Sequence, residues 1–108
     1  MKVKTSELIN AALDWAVGKC LDAYQGCSVD RVGRLEPFRP SESWAQGGPI
    51  IERECIFIAP TWDGENAGSS ARASRTAWIE GPTPLIAAMR CYVASKLGDE
   101  VDVPEDLL

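Results

Sequence analysis

The sequence predicts an α+β fold in which two long helices and a shorter central helix pack on a small, mainly antiparallel sheet. Three observations lead there. Apolar residues recur at three- and four-residue steps over residues 6–23 and again over 84–97, the period of a helix with one buried face. Between them lie two short apolar, β-branched runs, around 55–60 and 75–80. The chain has 108 residues, 45% of them hydrophobic, enough for one domain with a core of its own. Each helical stripe needs an apolar partner, and a sheet face would supply it.

The first helix is expected over Ser6–Ala23. Thr5 is its candidate N-cap, and Glu7 suits the positive end of the dipole. Ile9, Leu13, Ala16, Val17, Cys20 and Tyr24 form the stripe, Leu8 and Trp15 widen it, and Asp14, Lys19 and Asp22 fall outside. Gly26 is the stop. A short strand follows around 29–34. Glu36-Pro37-Phe38-Arg39-Pro40 is then extended, because proline fixes its own φ and restricts its predecessor.

Ser41 is the candidate N-cap of the middle helix, and Gly47-Gly48-Pro49 interrupts its pattern. Two readings stand: one kinked helix over 42–54, or a turn to Gln46 and a new helix with Pro49 in its first position. Both send Ile50 and Ile51 to the core. Cys55–Ala59 reads as a buried strand and Thr76–Glu80 as its antiparallel partner, with a long loop, Trp62–Arg75, between them. The last helix has the plainest limits: Thr83 caps it, Pro84 opens it and Gly98 ends it. Its stripe is Leu85, Ile86, Met89, Val93 and Leu97. The expected core is Leu8, Ile9, Leu13, Ala16, Val17, Cys20, Ile51, Ile56, Ile58, Trp78, Ile86, Met89, Val93 and Leu97. Residues 1–98 are read as the domain and 99–108 as an acidic, extended C-terminal tail, either loose or added as an edge strand.

The net charge is −5, and all of it comes from the end of the chain. Residues 1–96 carry eleven basic and eleven acidic side chains; Asp99, Glu100, Asp102, Glu105 and Asp106 follow with no base among them. This disfavours a nucleic-acid groove, which needs clustered positive charge. No apolar run reaches the ~20 residues of a membrane span, and no signal peptide is read at the N-terminus.

Catalytic and metal-binding signatures are missing as well. There is no His, no phosphate-binding glycine loop and no nucleophile elbow. Cys20, Cys27, Cys55 and Cys91 lack the spacing of a zinc site and read as structural thiols. No cofactor, metal or catalytic residue is therefore expected. The one candidate binding group is Trp62 with Arg72 and Arg75, joined by Arg53, where an aromatic ring and guanidinium groups could stack on a base or a ligand.

Three stretches carry a resemblance: Met1–Leu8 with Ala12–Val17, Trp44–Glu54, and Gly81–Lys96. Together the chain resembles the NinX-like proteins of lambdoid phages and prophages. Cys55 departs from that likeness, which leads one to expect a small residue such as Gly at a tight turn. The resemblance implies a phage or prophage accessory protein in the bacterial host's cytoplasm, and it brings no activity or catalytic residue with it. Two functions follow as expectations. One is a non-enzymatic module that binds a host or phage protein; the other is a nucleic-acid-associated protein using the Arg/Trp group.

Overall fold

A computed structural model describes residues 1–21, 27–29, 35–37, 39–62, 67–73 and 76–107. The fold is α+β, as expected. Strand β1 (Lys2–Lys4) leads through a 3-10 turn at Thr5–Glu7 into helix α1 (Asn10–Leu21). Strands β2 (Cys27–Val29) and β3 (Leu35–Pro37) precede helix α2 (Trp44–Glu54). Strands β4 (Phe57–Trp62), β5 (Ala67–Arg72) and β6 (Ile79–Gly81) come next, then helix α3 (Pro84–Leu97), strand β7 (Glu100–Asp102) and a last 3-10 turn, Glu105–Leu107.

The centre of the molecule is α3. Thr83 Oγ1 accepts from the Ile86 amide at 3.1 Å, Pro84 stands in the first turn, and Gly98 closes the helix at φ 88°, so both limits match the expectation. Leu85–Met89 and Cys91–Val93 are all buried. A helix apolar on all sides belongs inside a fold, and α3 is covered by the sheet on one side and by α1 and α2 on others.

The sheets differ from the expected single platform. Among the described residues three separate antiparallel sheets form: β1 with β7, β2 with β3, and the meander β4-β5-β6. The segments 55–60 and 75–80 were expected to pair, but β5 lies between them, formed from the stretch read as loop. Its residues, Ala67-Gly68-Ser69-Ser70-Ala71-Arg72, have poor strand propensity. Tertiary packing overrides it: Ser69 and Ala71 are buried, and their small side chains let α3 come close. The approach is tight at Gly81, where a Cβ would lie 2.6 Å from the Ala87 amide nitrogen. The stripe of α1 then rests on α3 rather than on a sheet.

Other expectations also shift. Thr5 is no cap: it is buried, and its hydroxyl donates to the Gly98 carbonyl at 2.6 Å, so the first helix begins only at Asn10, itself at φ 55°. Ile9, ahead of the helical period, is 42% exposed. Leu97, at the last turn of α3, and Trp78, just before β6, are also largely exposed. Cys20, Ile51 and Ile58 are partly buried against the core, and Ile50, Ala71, Ala73, Val101 and Val103 join it. Helix α2 runs unbroken through Pro49, with Ser43 rather than Ser41 at its N-cap. It ends on Cys55 at φ 52°, with the Ile56 amide bonded back to Ile51, the left-handed turn that glycine usually takes. Of the strand read at 29–34, Val29 lies in β2 and 30–34 fall outside the described residues, as do Tyr24 and Gly26. Beyond Gly98, residues 100–102 pair with β1 as an added strand.

Candidate functional site

Alternation along β4-β5-β6 sorts its residues onto two faces. Ile58, Ala71, Ile79 and Gly81 share the face that meets α3. Phe57, Ala59, Ser70, Arg72 and Glu80 share the other. Phe57 pairs directly with Arg72. Trp78 directly precedes β6, whose first residue, Ile79, pairs with Ala71. Phe57 and Arg72 therefore share a rung of the outer face, and Trp78 stands just outside the ladder at the same end of the sheet. Phe57 is 68% exposed, Trp78 49%, and Arg72 is exposed too. Among the described residues Arg72 makes no ion pair.

The residues singled out from sequence are distributed differently. Trp62 ends β4 opposite Ala67, whereas Arg72 ends β5 opposite Phe57. Five residues of ladder separate the two positions, about 17 Å, so the hairpin sets Trp62 and Arg72 at opposite ends. Arg53 sits in the last turn of α2, with Nε 3.6 Å from Glu54 Oε2; Glu54 also takes Lys96 Nζ at 3.2 Å. Arg75 lies outside the described residues.

Trp78 was read as core from the size of its ring, and Phe57 was missed for a different reason. Cys55–Ala59 is continuously apolar, so period-2 alternation could not say which side chains face outward. The usable signal lay on the partner strand, where Arg72 alternates with buried Ala71 and Ala73.

The remaining titratable groups are held apart. Asp14 on α1 is 7% exposed, and its carboxylate accepts the Ser41 amide at 2.9 Å. Burial raises its pKa against the lowering effect of those Ser41 contacts. Burial also pushes the Cys20 thiol up to about 11 and raises Cys91, whose sulfur lies 3.3 Å from Thr76 Oγ1. Cys55 is exposed. Among the described residues no three His, Cys, Asp or Glu side chains gather to hold a metal ion, and no helix is long and apolar enough to cross a membrane. A hollow of about 230 Å³ beside the start of α1 is lined by Val3, Leu8, Ile9, Ala12 and Leu107, with Glu7 and Asn10 as its only polar residues. The exposed Phe57–Arg72 pair, with exposed Trp78 at the same end of the sheet, is thus the surface best fitted to hold a partner. It offers flat apolar area and one charge-assisted donor fork.

Comparison with known families finds one match: the family described as Bacteriophage P22, NinX aligns with residues 4–96. Comparison with curated proteins gives no match.

Proposed function

The chain belongs to the NinX family of bacteriophage P22 and is a phage accessory protein; from that premise we propose that it is a non-enzymatic module that binds a host or phage protein in the bacterial cytoplasm. The observation that carries this reading is the exposed pair Phe57 and Arg72 on the sheet face turned away from α3, with exposed Trp78 just before β6 at the same end of the sheet. Aromatic and Arg side chains are the residues on which protein interfaces concentrate their binding energy. Large aromatic rings left in water at neighbouring positions mark a surface made to be covered.

The test places a photoreactive phenylalanine analogue at position 57 in phage-carrying cells. A single protein should cross-link, and Trp78→Ala and Arg72→Ala should each abolish the adduct while Trp44→Ala, exposed on α2, leaves it intact. Equal cross-linking by all variants would remove this face from the reading.

The same surface supports a second reading, association with single-stranded nucleic acid, since aromatic rings stack bases and Arg72 would meet phosphates. The net charge of −5 opposes it. Oligonucleotide anisotropy decides: this reading requires binding at about 50 mM salt that weakens steeply as salt is added, and no binding there would end it.

A further inference from the structure

We propose that Asp14 and the turn Arg39–Ser43 form a proton-operated latch on the first turn of α2. The proposal is independent of the sheet face. It starts from how α2 begins. Its N-cap, Ser43, makes no side-chain capping bond. The turn before it is closed by local bonds: the Glu42 and Ser43 amides both donate to the Arg39 carbonyl at 3.0 Å, and the Arg39 amide donates to Gln46 Oε1 at 2.6 Å. The turn is also locked to α2 sterically, because Gly47 lies so near Pro40 that a Cβ there would stand 2.5 Å from the Pro40 oxygen. Turn and helix start therefore move together. The buried bond from the Ser41 amide to Asp14 is what ties them to α1.

That bond ends on a carboxyl group inside the protein. Ser41 is 3% exposed, and its hydroxyl is buried with no hydrogen-bond partner among the described residues. That hydroxyl can donate to an ionised Asp14, which lowers the carboxyl pKa, or accept from a protonated one, so burial rather than this group sets the direction. An ionised Asp14 leaves a charge buried behind one amide and the nearby hydroxyl, with Arg39 favouring the charge and Glu42 opposing it, both from the turn itself. Burial dominates, so the closed state holds the proton more tightly than an open state in which Asp14 meets water. The sign follows from linkage. A raised closed-state pKa favours closure below the ordinary carboxyl value, and that preference is lost as pH rises through the closed-state value.

The test is amide hydrogen exchange by NMR, corrected for intrinsic exchange, measured while the Asp14 carboxyl carbon is titrated. Protection of the Ser41, Glu42 and Ser43 amides should fall as Asp14 ionises, by about tenfold for each pH unit separating its closed-state and open-state pKa values. Asp14→Asn keeps an acceptor for Ser41 without a charge and should stay protected at every pH. Glu42→Gln removes the opposing charge and should move the midpoint to lower pH. Protection that stays flat while Asp14 titrates, or that rises as it ionises, would overturn the latch. If Asp14→Asn does not fold, the wild-type curve and Glu42→Gln decide.

Discussion

Arg90 donates through Nε to the carbonyl oxygen of Leu8 at 2.7 Å, a bond between α3 and the segment just before α1. Through Nη1 the same guanidinium reaches the Glu80 carbonyl on β6 at 2.9 Å. One side chain thus joins the central helix to the first helix and to the sheet. Burial lowers its pKa, but from so high a value that it stays charged at any pH the fold survives. Arg90→Ala should lower stability by about 2–4 kcal/mol, since two charge-assisted bonds are lost and the Leu8 carbonyl is left part-buried. Arg90→Lys should recover only part of it, because an ammonium lacks the planar fork. Urea unfolding checks both, read as a shift in midpoint at constant slope.

Two adjacent glycines in α2 should respond in opposite directions. At Gly47 an added Cβ would meet the Pro40 oxygen at 2.5 Å and Leu85 Cδ2 at 2.7 Å. Gly47→Ala should destabilise by about 1–3 kcal/mol, the usual cost of overpacking. At Gly48 a Cβ meets nothing within 4 Å. Gly48→Ala should raise stability by about 0.5–1 kcal/mol, the helix-propensity difference. Thermal melts of the two variants beside the parent settle the signs.

Cys55 holds a left-handed conformation, φ 52°, at the end of α2. Such a backbone costs a side-chain-bearing residue about 1–2 kcal/mol. Cys55→Gly should therefore stabilise the protein by about 1 kcal/mol, after allowing for the extra freedom glycine has when unfolded. A fall in the unfolding midpoint would show that the Cys55 side chain contributes more than its strain costs.

The thiols should react in a fixed order. Cys55 is exposed, whereas Cys20 is part-buried with its pKa pushed up to about 11 and Cys91 is buried and raised in the same direction. Only the thiolate reacts. Under native conditions at mildly alkaline pH, iodoacetamide should label Cys55 well before Cys20 or Cys91, and denaturant should bring those two up to its rate. Peptide mass spectrometry over time reads this directly.

The sequence by itself determined the local features. Helix α3 was legible to its end residues because Thr83, Pro84 and Gly98 act through their own backbone and nearest neighbours. The α+β class and the core positions Leu13, Val17, Met89 and Val93 followed from periodicity, whereas Cys55, read as the start of a buried strand, instead closes α2 in a left-handed turn. Only the tertiary structure decided β5, whose Gly, Ser and Ala residues form a strand because they let α3 approach. It alone decided that Asp14, polar and off the stripe, is buried under Ser41, and that Phe57 faces outward beside Arg72 while Trp62 ends the strand elsewhere. The reason is common to all three. Helix caps and turns are fixed by residues a few positions apart, whereas strand register and the direction of a side chain in a continuous apolar run depend on which distant segment lies alongside.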